Sequence, residues 1–153
     1  MKYINTLLST NNSSAQLIAR LTLALVIFPH GAQKLLGWFG GYGFEGTMGF
    51  FTGTLGIPAI FAFAAIAVEF FSPILLALGI FSRLNALLIG FTMFVAMMMA
   101  TASNGFFMNW MGNQAGEGIE YHLLTLGLAL LITISGGGRW GLDQVLEQKI
   151  AKV

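Results

Sequence analysis

The polar residues with the most chemical potential in this sequence stand inside apolar stretches. Arg20, His30, Gln33 and Lys34 lie in one such stretch, Glu69 in the next, and Glu120 and His122 at the head of the last. An ionisable group deep in hydrocarbon costs roughly 2.5–3.5 kcal/mol on insertion scales, so each requires a partner or a purpose. Glu69 is the deepest. Four residues on, Pro73 has no amide to give, so the Glu69 carbonyl loses its helical partner and shares one depth with the carboxylate. On a helix, Arg20, His30, Gln33 and Lys34 fall within about 140° of one face, so a stripe of donors meets one acid. Spacing leaves open which donor pairs with Glu69, since a long Arg20 side chain could bridge from one side and His30 lies slightly to the other. Such a site suits proton handling or ligand orientation, with Glu69 and His30 as the candidate catalytic groups. The structural alternative is a pair that only pins two helices.

His30 sits between Pro29, which frees the Leu25 carbonyl and kinks the helix, and Gly31, which permits close approach. His122 opens the last apolar stretch with Glu117 and Glu120 nearby. Two histidines on different helices could ligate a b-type haem, or join Glu69 or Glu120 in a two-histidine, one-carboxylate metal site. No HxxxH or ExxH spacing places two ligands on one face, so haem and metal rank low. A histidine hydrogen-bonded inside a bundle ranks above them, as does a polar-headed lipophile such as a quinone. Its carbonyls would accept from His, Lys or Arg while its ring packs on Phe and Met. The run Met97-Met98-Met99 points in three directions and reads as packing. Gly40-Gly41 and Gly136-Gly137-Gly138 match no phosphate loop or dinucleotide fingerprint and read as helix ends and turns.

Composition sets what must position these groups. The chain has 153 residues, 56% hydrophobic and 8% charged, against roughly 25% charged in an ordinary soluble domain, so its solvent is mostly lipid. A net charge of +1 with no basic run excludes nucleic acid as a partner. With no cysteine, the chain carries no disulfide, thiolate nucleophile, thiolate-ligated cluster or covalent c-type haem. Residues 17–36, 57–80, 84–103 and 119–136 approach the roughly 20 apolar residues that cross a bilayer, and backbone in lipid must be helical. The expected fold is therefore all-α, an integral membrane four-helix bundle forming one domain over residues 1–153. Residues 21–29 resemble a signal-peptide core, but the polar lead-in is long and no small-x-small cleavage site follows, so they are expected to be a retained span. Lys2, Arg20, Arg83, Arg139, Lys149 and Lys152 fall on one side and Glu45 and Glu117 on the other, which predicts cytoplasmic termini.

The outer loops, residues 37–56 with Trp38, Phe39 and Tyr42 and residues 104–118 with Phe106, Phe107 and Trp110, are too aromatic to float in water. They are expected at the interface or folded as a cap over the bundle. In the tail, residues 141–153, Leu142, Val145, Leu146, Lys149 and Ile150 recur at helical spacing opposite Asp143, Gln144, Glu147 and Gln148. That pattern predicts an amphipathic helix lying on the membrane or on a partner. The pairs Ala86 with Gly90, Ala96 with Ala100 and Thr125 with Ala129 have helix-packing spacing.

Short motifs run through nearly the whole chain in order. They are Arg20 ahead of Phe28-Pro29-His30-Gly31-Ala32-Gln33-Lys34, then Gly37-Trp38-Phe39-Gly40-Gly41, Glu69, Gly79-Ile80-Phe81-Ser82-Arg83, Asn104-Gly105-Phe106-Phe107, Glu120-Tyr121, and Gly136-Gly137-Gly138-Arg139-Trp140-Gly141-Leu142-Asp143. In these the sequence resembles the DoxX family of small bacterial membrane proteins. The resemblance implies a four-helix bundle in the bacterial cytoplasmic (inner) membrane, linked to quinone-dependent oxidoreductase, terminal oxidase or redox-stress systems. Any thiol or sulfur chemistry would run through a partner or bound cofactor, because the chain has no cysteine. The leading expectation is a membrane component that binds a lipophilic redox molecule, a quinone, through Arg20, His30, Gln33, Lys34, Glu69, Glu120 and His122. Its expected partners are the lipid bilayer, a membrane or soluble redox protein, and a second copy of the chain as a homodimer. The rival expectations are a non-catalytic scaffold or accessory subunit and a carrier of a small hydrophobic compound.

Overall fold

The computed structural model describes residues 7–150. Lys2, Lys152 and the end of the tail therefore lie outside the described residues. Helix α1 (Ser14–Leu36) begins where the Ser13 hydroxyl accepts the Gln16 amide at 3.4 Å, and it ends at Gly37, whose left-handed backbone (φ 73°) favours glycine. A 3-10 turn (Trp38–Gly40) leads to the short α2 (Gly43–Gly49), which runs on into a π-helical turn (Phe50–Thr54). Helix α3 (Ala59–Leu78) follows Pro58. Helix α4 (Ser82–Ala96) continues through a second π-turn (Met97–Thr101) and a 3-10 turn (Ala102–Asn104). Helices α5 (Glu120–Ser135) and α6 (Leu142–Ile150) complete the order, and no strand occurs among the described residues.

Among the described residues, three stretches are long and apolar enough to cross a membrane: Ser14–Leu36, Ala59–Leu78 and Ser82–Asn104. Helix α5 is apolar but has only 16 residues, about 24 Å at 1.5 Å per residue, short of a hydrocarbon core of roughly 30 Å. The long helices pack α1 on α3, α3 on α4, α4 on α5 and α5 back on α1, with the last seam the thinnest. Leu23, Ile27, Leu76, Ala86, Ile89 and Ile132 fill the centre. Large apolar side chains on the outside, among them Leu25, Phe61, Phe91, Leu124 and Ile134, are more than half exposed. Such a surface would aggregate in water and is at rest in lipid. The fold is that of an α-helical membrane protein.

Small residues set the closest approaches. Gly90 faces Ala129, where an added Cβ would sit 3.1 Å from the alanine methyl, and Ala86, Thr125 and Ala129 are buried. The Ala96 and Ala100 pair differs, for Ala100 is exposed. The aromatic loops are ordered: α2 packs on α1, and the segment before α5 is tied by Gly118 N to Phe107 O and Glu120 N to Phe106 O at 3.2 and 2.9 Å. Trp38, Phe39, Tyr42, Phe106, Phe107 and Trp110 are nonetheless exposed.

The tail corrects the expectation that Asp143 belongs to a solvated polar face. Asp143 is 2% exposed, and its carboxylate accepts the amides of Phe81 and Ser82 at 2.7 and 2.9 Å. Phe81 is in the left-handed region (φ 46°) and offers α4 no cap of its own, so Asp143 caps that helix from far along the chain. Its own amide donates to Gly79 O at 2.8 Å. The same end holds the segment just before α1: Gly138 N donates to Thr10 Oγ1 at 2.8 Å and Arg139 N to Ser13 O at 3.2 Å. Leu142 and Val145 remain exposed beyond this anchor. Asp143→Ala should cost about 2–3 kcal/mol, since it strands two helix-terminal amides, and should free α6 for limited proteolysis. Asp143→Asn should fall between it and wild type; an alanine variant with unchanged melting and protease resistance would refute the capping role.

Candidate functional site

Helices α1 and α3 run antiparallel, and their tightest contact is Gly31 against the backbone of Glu69. A Cβ at Gly31 would overlap the Glu69 carbonyl and lie 2.6 Å from the Phe70 nitrogen. The carbonyl that Pro73 deprives of its helical amide is thus the one that packs into the glycine notch. This contact sets the level of the site. Helical side chains lean toward the N-terminus of their own helix. Lys34, one turn beyond Gly31, therefore leans back to the level of Glu69, and Glu69 on the antiparallel helix leans toward Lys34. Lys34 Nζ and Glu69 Oε2 meet at 2.5 Å, with the glutamate side chain 3% and the lysine side chain 26% exposed.

Helix α5 brings a second group of polar side chains to this pair. The His30 and Tyr121 rings lie 5.8 Å apart across the α1–α5 seam, and the adjacent Tyr121 and His122 rings are 5.4 Å apart. His30 is within electrostatic reach of Lys34 and Glu69, and the Tyr121 phenol is within reach of Glu69. The π-turn at the end of α4 presents Thr101 to α5. Its hydroxyl donates to Met97 O at 3.2 Å and lies 3.4 Å from His122 Nδ1. The π-turn thereby sets Thr101 against the His122 ring, in keeping with the frequent use of such turns at functional sites.

Of the residues singled out in the sequence, the fold gathers His30, Lys34, Glu69 and His122. Three others sit elsewhere. Arg20 lies about 16 Å down α1 from Gly31 and leans away from Glu69, toward its own N-terminus. It is 2% exposed at the far end of the bundle, in a cradle where side chains on Gly79 or Gly141 would strike its guanidinium, within electrostatic reach of Asp143. Gln33 donates to Phe39 O at 3.3 Å and holds the turn after α1. Glu120 accepts the Met108 amide at 3.1 Å and Glu117 the Asn109 amide at 2.6 Å, so both order the loop before α5. Tyr121 and Thr101 join the site without having been singled out as site residues. Tyr121 carried a signal, a phenol between Glu120 and His122 at the head of an apolar helix. An apolar groove of about 470 Å³ between α1 and α3, lined by Leu21, Leu25, Phe28, Ile74 and Leu78, lies toward the Arg20 end and includes none of these polar groups. Among the described residues no three His, Asp or Glu side chains converge as a metal site would require.

An apolar exterior around one buried ion pair defines the class, a helical membrane protein with a polar site between its helices. The chain belongs to the DoxX family, whose model matches residues 15–102. It is also similar to "Putative oxidoreductase CatD" of Bacillus subtilis (strain 168), 28% identical over 117 residues that cover 76% of this chain and 77% of that one. No solved structure matches the chain. The family match takes in His30, Lys34, Glu69 and Thr101 and stops before α5, so Tyr121 and His122 lie outside it.

The pair itself can be weighed by a double-mutant cycle. Glu69→Gln should strand the Lys34 ammonium and destabilise the protein by less than the roughly 3–5 kcal/mol of a fully buried pair, because Lys34 keeps 26% of its side chain exposed. Adding Lys34→Met should recover much of that loss in detergent-phase melting. Additive losses in the double variant would mean that the two side chains are not coupled.

Proposed function

We propose that the protein is a four-span component of a quinone-linked oxidoreductase or redox-stress system in the bacterial cytoplasmic membrane. Both termini face the cytoplasm, and the whole chain, α5 and the tail included, forms one domain. The single observation that carries the proposal is the Lys34–Glu69 pair, buried at a helix seam beside His30, Tyr121 and His122 in a bundle whose exterior is apolar. Family membership and the Bacillus subtilis relative's name as a putative oxidoreductase support a redox role over a purely mechanical one.

Reducing a quinone to a quinol adds two electrons and two protons, one proton to each carbonyl oxygen. Glu69, Lys34 and His30 are the groups that would supply or receive those protons, and His30 is the exposed member of the three. The electrons would come from a membrane or soluble redox protein, since the chain has no thiol of its own. A homodimer is the further partner in this proposal. A scaffold role draws on one specific observation, the closed 2.5 Å contact of the ion pair, which leaves little of either charge for a ligand. A ligand that binds only the native state raises the melting temperature with the logarithm of its concentration above Kd. A short-chain ubiquinone or menaquinone analogue should therefore stabilise the detergent-solubilised protein. The shift should shrink in folded His30→Ala and Glu69→Ala variants. Saturating analogue that leaves the wild-type curve unmoved would favour the scaffold.

A further inference from the structure

Tyr121 holds a polar group that the fold leaves without a partner. Its Oη is buried and makes no hydrogen bond among the described residues, although the ring packs beside the apolar core and against both histidines. A buried hydroxyl without an acceptor is unfavourable, and native proteins seldom keep one unless something else satisfies it. The charged groups nearby are engaged. Lys34 and Glu69 neutralise each other at 2.5 Å, and His122 Nδ1 meets Thr101 at 3.4 Å. Neither an anion nor a cation finds an uncompensated charge here. Besides the His30 ring, what remains on offer is a phenol proton, at the thinnest of the four helix seams, where α1 and α5 meet with His30 exposed beside it. A molecule dissolved in the bilayer can reach that seam from the side without crossing a polar headgroup layer.

We infer that the Tyr121 hydroxyl is a ligand-binding group, donating a hydrogen bond to the carbonyl oxygen of an uncharged lipophile that enters between α1 and α5. The inference rests on the proposed function for the place of the site and adds the class of ligand, a neutral carbonyl compound, and the donor that recognises it. Glu69, His30 and Lys34 serve the proton balance. Tyr121 serves recognition, and its removal should leave the empty protein intact because the hydroxyl makes no bond there.

The test compares wild type with Tyr121→Phe, which keeps the ring and deletes only the hydroxyl, using the full chain in detergent or nanodiscs. Two uncharged probes are titrated, a short-chain ubiquinone analogue and a redox-inert diaryl ketone. Without ligand, the variant should melt at or above the wild-type temperature. For both probes its Kd should rise roughly three- to tenfold, the range of one lost neutral hydrogen bond. A variant that melts lower without ligand, or fails to fold, would show the hydroxyl to be structural and overturn the inference. Equal affinity of both proteins for the quinone would overturn it too while leaving the redox proposal standing. Tyr121-dependent binding of the ketone alone would sustain the inference and remove the quinone. Failure of both probes to bind wild-type protein would remove both.

Discussion

A carbonyl without an amide partner, seated in a glycine notch, is the constraint from which the rest of the site follows. Pro73 frees the Glu69 carbonyl, and Gly31 is the one residue type that lets α1 come close enough to cover it. That contact fixes the spacing and the level of two antiparallel helices. The N-terminal lean of helical side chains then carries Lys34 and Glu69 toward each other. A longer seam would leave the carboxylate alone in an apolar interior, where its desolvation is unaffordable. The pair is therefore a product of backbone packing, not its cause. His30, adjacent to Gly31, inherits its position from the same notch.

The two ends of the bundle divide the polar work. At the Lys34 end the polar side chains converge from α1, α3, α4 and α5 on one shared space. At the Arg20 end they act as fasteners: Asp143 caps α4, and Arg83 reaches Ser9 O at 3.0 Å and Thr133 O at 2.9 Å. Arg20 fills a cradle of glycines there, with its Nε and Nη1 lacking partners among the described residues. Glu120 and Gln33 do the same kind of fastening in the outer turns. Polar residues in an apolar chain are thus sorted by whether the backbone nearby has loose donors and acceptors of its own. Where it does, at helix ends and loops, the side chain serves the backbone. At the helix seam, Lys34 and Glu69 serve each other.

That division also explains what could be read from the sequence. Helical class and apolar exterior follow from composition, since backbone in lipid has few alternatives and 8% charge cannot coat a soluble body. Glu69 stood out because a lone acid in an apolar helix has a cost attached, and the donor stripe on α1 followed from helical periodicity. Periodicity could not choose among Arg20, His30, Gln33 and Lys34, because it gives angle around a helix and not the direction in which a side chain leans. Asp143 and Glu120 were illegible for a different reason. Their partners are backbone amides of Phe81, Ser82 and Met108, and backbone groups leave no trace in residue identity. Thr101 depended on a π-turn that no apolar run announces.

Substitution at the notch tests the account most directly. Gly31→Leu should hold α1 away from α3, lower the melting temperature by the equivalent of about 1–3 kcal/mol of overpacking, and abolish stabilisation by a quinone analogue. Gly127→Leu, at a helical position where an added Cβ meets nothing within 4 Å, supplies the control and should behave as wild type in both respects. A Gly31→Leu protein that melts and responds to ligand as the Gly127→Leu protein does would contradict the claim that this seam builds the site.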